Sequence, residues 1–145
     1  MKIPDVRFVG YVSGEDKAGE LRRADCYVFP SYEEGMPISV LEAMAFGLPV
    51  ITRPVGALAD FFEDGVMGYM TESKAPGVLA GLMQKLLDDP AARERMGQYN
   101  QQFAWEHFSA AAVTGLLETI YSDVSRQALS PVSRDPAPRE PKVPR

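Results

Sequence analysis

Along most of this chain, short β-branched or aromatic runs alternate with longer segments of helical period. Val6-Arg7-Phe8-Val9-Gly10-Tyr11-Val12, closed by Ser13-Gly14, reads as a short buried strand ending in a turn. Glu15 to Ala24 are helix formers, acidic at the front and ending in Arg22-Arg23, the order that suits the helix dipole. Cys26-Tyr27-Val28-Phe29 is a near-continuous apolar run stopped by Pro30-Ser31, as expected of a parallel strand covered on both faces. Pro37 then stands where a first helical residue would, and Ile38 to Phe46 follow with Glu42 as their one charge before Gly47 ends the helix. Pro49-Val50-Ile51-Thr52 and Gly68-Tyr69-Met70-Thr71 read as two more strands, with Gly56, Gly65 and Gly68 punctuating their connection. Helices are expected over Pro76–Leu87, Ala91 to about Phe103, and Ala110–Ser125. This rhythm predicts an α/β layer structure around a parallel sheet, with no internal repeat.

From Ala128 onward the pattern stops: residues 128–145 hold 5 of the 12 prolines in a chain of 145 residues. Proline removes helical donors and little apolar surface is left to bury, so this stretch is expected to be a disordered tail following a single domain of residues 1–127. Setting the tail aside leaves 11 basic against 18 acidic side chains. An acidic body gains no counterion-release energy on a polyanion, which argues against nucleic acid as a partner. A single cysteine, Cys26, rules out an intramolecular disulfide and a cysteine-based zinc cage, and suits a cytoplasmic protein. The N-terminus lacks an apolar core of signal-peptide type, and no apolar run is long enough to span a membrane.

Several chemistries lack their motifs. The sequence contains no Gly-x-Gly-x-x-Gly, no Gly-x4-Gly-Lys-Ser/Thr, no Gly-x-Ser-x-Gly and no Asp-x-Asp. Asp88-Asp89 before Pro90 reads as a helix stop followed by a new N-cap rather than a metal site. His107, between Trp105 and Phe108 with no acid or cysteine at ligand spacing, reads as a packing residue at a helix end.

The informative stretch runs from Pro30 to Ile51. A strand feeds the loop Ser31 to Gly35, which opens a helix whose first turn is expected to leave free amides at Ile38, Ser39 and Val40. Such amides and the helix dipole favour an anion such as a diphosphate. Glu42 follows in the second turn, taken to lie opposite Leu41 and Ala45, while Glu34 sits in the loop above the strand's carboxyl end. Carboxylates beside an anion site are poor phosphate ligands but good acceptors for sugar hydroxyls, so the pattern points to a nucleotide sugar. Read from spacing alone, the plainer alternative holds, with Glu42 a solvated helix charge and Glu34 a loop residue that only favours the helix N-terminus.

Glu34-x7-Glu42 resembles the glutamate-x7-glutamate signature of the glycosyltransferase group 1 family, retaining enzymes with the two-domain GT-B fold. The resemblance runs from about Val6 to Val124, through Val6–Gly10, Arg23–Ser31, Leu41–Ile51 and Glu63–Gly68 in family order. It implies a partial doubly wound, Rossmann-like sheet with flanking helices, the C-terminal half-domain of a GT-B fold. It further implies a metal-independent hexosyltransferase without a resident cofactor, its donor a nucleotide-diphospho-sugar and its setting polysaccharide biosynthesis. Position by position, Glu34 would be the catalytic-site acceptor for donor-sugar hydroxyls and Glu42 the acceptor for ribose hydroxyls. Gly35, Met36, Pro37, Ile38, Ser39 and Val40 would hold sugar and diphosphate through backbone amides, Pro37 having none to give. Gly10, Tyr11 and Val12 would line the base, and Lys17 would reach base or ribose. Gly56-Ala57-Leu58-Ala59-Asp60 stands where the family has Gly-Gly-x-x-Glu.

The family's acceptor domain, and the strand–helix units whose Arg and Lys neutralise the leaving diphosphate, have no counterpart in this chain. The resemblance thus implies a donor-binding portion, with an acceptor-domain polypeptide or self-association as partner. A nucleotide-sugar epimerase, a non-catalytic binding subunit and a truncated remnant fit the same residues. The apolar stripe Val113, Leu116, Leu117, Ile120, Tyr121 and Val124 adds to the expectation of association.

Overall fold

The computed structural model describes residues 4–129. The elements in order are α1 (Gly14–Arg23), β1 (Tyr27–Phe29), α2 (Ile38–Ala45), β2 (Val50–Thr52), α3 (Leu58–Phe61), β3 (Gly68–Met70), α4 (Pro76–Asp88), α5 (Pro90–Phe108) and α6 (Ala110–Leu129). The strands form one parallel sheet in the order β1-β2-β3, with Tyr27, Val50 and Gly68 in one row and Val28, Ile51 and Tyr69 in the next. Because side chains alternate along a strand, each row faces one layer. Val50, Tyr27 and Phe29 pack with Val40 and Met44 of α2 and Leu58 of α3. Ile51, Val28 and Tyr69 pack with Leu86 of α4 and Ala92 and Met96 of α5. The sheet is therefore covered on both faces, as its unbroken apolar runs require.

Val6–Val12, expected as a buried strand, is neither: it joins no ladder, and Phe8 is 75% exposed and Tyr11 94%. An extended segment is stable as a strand only when a neighbour accepts and donates its backbone bonds, and none of the described strands pairs with it. Its Arg7 pairs with Glu20 of α1 instead.

The end of α2 shows why the connection to β2 is so short. Gly47 adopts φ +76°, its N–H donates to Met44 O and the Leu48 N–H to Ala43 O, a Schellman closure that turns the chain directly into β2. Helix α5 crosses against this turn at backbone distance: an added Cβ on Gly97 would lie 2.2 Å from Gly47 O. One turn on, the buried Asn100 amide nitrogen donates to Leu48 O at 2.8 Å and Met67 O at 2.7 Å, tying the approaches to β2 and β3 to one helix. Asp89 caps α5 by accepting from the Ala92 N–H at 2.9 Å, the N-cap role expected of it. The helix runs on past Phe103, so His107 lies in its last turn, stacked on Phe103 at 4.1 Å between centroids.

One compact unit ends at Ser109 and a second begins at Ala110. Taken alone, α6 exposes Val113, Leu116, Leu117, Ile120, Tyr121 and Val124. It extends to Leu129, so Ala128 and Leu129, expected in the tail, are helical; the rest of that tail lies outside the described residues.

Gly97→Ala should destabilise the fold by roughly 2 kcal/mol or more, since the atom it meets is backbone and cannot swing away. Gly81→Ala, in open space within α4, should instead stabilise by about 0.5–1 kcal/mol. Urea unfolding midpoints check both; an unchanged Gly97→Ala midpoint would mean that α2 and α5 do not meet this closely.

Candidate functional site

The loop from β1 to α2 lifts Glu34 above the carboxyl end of the sheet, the edge at which open α/β sheets bind ligands. The Ser31 hydroxyl donates to Glu34 Oε1 at 2.7 Å and fixes that carboxylate. A second loop braces the first. Ala57 N–H donates to Gly35 O at 2.9 Å. Gly56, at φ +52°, comes so close that a Cβ there would lie 2.0 Å from Gly35 O and 2.5 Å from Glu34 O. Only glycine satisfies both demands.

At the start of α2 the chain is extended through Pro37, which has no N–H. The amides of Gly35, Met36, Ile38 and Ser39 have no hydrogen-bond partner among the described residues. Val40 differs from expectation: its N–H donates to Pro37 O at 3.0 Å and its side chain is fully buried, so it serves the core rather than an anion.

Glu42 projects from the second turn of α2 and meets Lys17 of α1, with Nζ 2.5 Å from Oε1. The pair borders a cleft of about 330 Å³ that also holds Val12, Ser39 and Tyr27. Oε1 is taken by the lysine, and Oε2 accepts no bond from the described residues. Glu42 also edges an apolar groove with Ile38, Leu41 and Ala45, so it lies beside Leu41 and Ala45 and not opposite them, as a turn of 100° per residue dictates. Of the three residues expected to line the base, Val12 borders the Lys17–Glu42 cleft; Gly10 and Tyr11 do not. Glu34 lies outside that cleft, on the braced loop.

Ser31 and Arg7 carried no expectation at this site, and Gly56 none of a contact with the Glu34 loop. Ser31, three residues before Glu34, has the spacing of a capping box, which is the signal that could have found it. Gly56 had a visible glycine but no visible neighbour, and Arg7 borders the cleft from a segment that joins no ladder.

Other chemistry is not assembled among the described residues. No group of three or more His, Cys, Asp or Glu side chains converges to hold a metal ion. The Cys26 thiol is pushed up by burial first and by Asp25 second, away from thiolate character. No described helix is long and apolar enough to cross a membrane.

Known proteins resemble this chain in sequence and fold. The family model described as glycosyl transferases group 1 matches residues 2–103. A D-inositol 3-phosphate glycosyltransferase of Corynebacterium kroppenstedtii is 35% identical over 124 residues, which are 86% of this chain and 27% of that protein. A glycogen synthase of Mycobacterium tuberculosis is 31% identical over 137 residues, 94% of this chain and 32% of its own. Among solved structures, sucrose-phosphate synthase from Thermosynechococcus elongatus superposes with a TM-score of 0.75 at 28% identity, over 83% of this chain and 30% of that one. Anabaena HepE in complex with UDP-glucose shares the fold at a TM-score of 0.72 and 23% identity, over 82% and 33%. The chain spans about a third of the length of these relatives. With a parallel sheet covered on both faces, a braced Glu34 loop and Glu42 eight positions on, this chain belongs to the glycosyl transferases group 1 family, as part of a GT-B domain.

Proposed function

We propose that this chain is the donor-binding portion of a retaining, metal-independent glycosyltransferase that takes its sugar from a nucleotide-diphospho-sugar and uses no resident cofactor. The observation that carries the reading is Glu42, held by Lys17 at the edge of a cleft beside the uncommitted amides that open α2. Glu42 Oε2 accepts a ribose hydroxyl, Lys17 fixes the carboxylate and borders the ribose or base, and Val12 forms the apolar wall. The amides of Gly35, Met36, Ile38 and Ser39 hold the diphosphate and sugar, and stabilise charge as it develops on the leaving group. Glu34, oriented by Ser31, accepts donor-sugar hydroxyls. The UDP-glucose bound by HepE supports a donor of this class. The acceptor is bound by residues outside this stretch, on an acceptor-domain polypeptide or a second copy, and the enzyme works in the cytoplasm. Polysaccharide biosynthesis fits the glycogen synthase among its relatives.

Calorimetric titration of the chain with UDP-, GDP- and ADP-sugars should give heat with one base; silence across the panel would remove the donor reading. Glu42→Ala should weaken that binding by about 1–3 kcal/mol through loss of charge-assisted bonds to ribose. Equal affinity in wild type and variant would take Glu42 out of the site.

Glu34→Ala should weaken the nucleotide sugar more than the bare nucleoside diphosphate, because the proposed partner is the sugar; equal losses would reassign it. Gly56→Ala should mimic Glu34→Ala in binding, because the added Cβ displaces the Glu34–Gly35 backbone.

A further inference from the structure

A second cleft, of about 430 Å³, opens at the carboxyl ends of β2 and β3, lined by Tyr32, Arg53, Pro54, Val55, Glu72 and Lys74. It shares no residue with the Lys17–Glu42 cleft. Arg53 follows β2 directly and is only 7% exposed. Its Nη1 donates to Ser73 O at 2.8 Å and its Nη2 to Glu72 O at 2.6 Å. Its guanidinium carbon sits over the Tyr32 ring at 4.6 Å from the centroid, and Lys74 Nζ lies over the same ring at 5.5 Å.

Among the described residues neither cation has a carboxylate within ion-pairing distance; Glu72 gives Arg53 its carbonyl, not its side chain. Carbonyls and a ring face satisfy the guanidinium's donors but do not neutralise it, and a nearly buried charge is ordinarily paired. Capping the Glu72 and Ser73 carbonyls accounts for Arg53 as a structural residue, yet it does not account for Lys74, which gathers a second positive charge at the same ring. Both cations line one cleft, so an anion there is attracted by each. Planar guanidinium donors match a phosphate or carboxylate, a second cation in the lining adds a point charge, and Glu72, exposed and also in the lining, is a carboxylate that can accept hydroxyls.

We propose that this cleft binds a small organic oxyanion, a sugar or polyol carrying a phosphate or carboxylate group: Arg53 and Lys74 take the anionic group and Glu72 a hydroxyl. The site is independent of the donor reading and stands if that reading fails.

The test is titration of the full chain, followed by NMR and calorimetry, with inorganic phosphate, glucose 6-phosphate, glucuronate and, as a neutral control, glucose. The anionic sugars should bind and glucose should not, and whichever of phosphate and carboxylate binds tighter identifies the oxyanion. Arg53→Ala removes buried structural bonds as well, so the exposed Lys74 carries the comparison. Lys74→Glu should lower oxyanion affinity about tenfold or more and leave nucleotide-sugar affinity unchanged, whereas Glu42→Ala should leave oxyanion affinity unchanged. No binding of any anion, binding that survives Lys74→Glu, or displacement of the anion by UDP-glucose would overturn the proposal.

Discussion

The backbone contact between Gly47 and Gly97 constrains more of this molecule than any side-chain pair. Where two helices touch through side chains their separation is 8–10 Å and tolerates repacking; here a helix presses its backbone against the carbonyl of another helix's closing turn, so neither can shift without the other. Because that turn is also the entry to β2, the crossing sets the height of α2 over the sheet. Asn100, on the same helix, then ties the approaches to both β2 and β3 through two carbonyls. The start of α2, with its open amides and Glu42 one turn further on, inherits its position from a contact at the opposite end of the helix. Glu42 is thus mounted on an element whose placement is fixed away from the cleft, leaving the cleft side free for ligand.

Charge is distributed unevenly around this scaffold. The exposed pairs Arg22–Glu15 and Arg23–Glu20 on α1 add little, as surface ion pairs do. Lys17–Glu42 differs in kind although it is also partly solvated, because it joins two elements 25 residues apart in sequence and holds a carboxylate in a cleft. Its contribution is to orientation more than to stability. Arg53 is the reverse case, a nearly buried cation with no carboxylate within ion-pairing distance among the described residues, held by two backbone carbonyls instead.

Much of this was legible in the chain. The apolar runs at Tyr27 and Val50 announced strands covered on both faces, and Pro37 and Gly47 marked the ends of α2, because each is a local signal whose meaning needs no partner. Val6–Val12 carried an equally good strand composition and failed, since β propensity describes fitness for a pleated, half-buried surface that must be supplied by a neighbour. The glutamate spacing was visible, but its company was not. The family resemblance alone places Lys17 near base or ribose, and its pairing with Glu42 shows once α1 is laid beside α2; Gly56 stands at a family motif position, but its contact with Gly35 needs the second loop. Arg53 gave no signal at all, because burial of a charge after a strand is decided by what two other connections happen to cover.

The amides that open α2 also limit what this part of the fold can do by itself. Pro37 removes one donor and Val40 spends another on the Pro37 carbonyl, so the anion-facing set is short. A helix N-terminus contributes about 0.3–1 kcal/mol toward an exposed anion, rising to about 2 kcal/mol when partly buried. That suffices to position a diphosphate. It is small against the stabilisation that removal of even one preorganised oxyanion donor can forfeit during catalysis, about 3–4 kcal/mol. Lys17, the cation beside these amides, is already committed to Glu42. On the reading proposed above, these amides orient the donor diphosphate and supply only part of the charge stabilisation for its departure, the rest falling to groups outside this stretch.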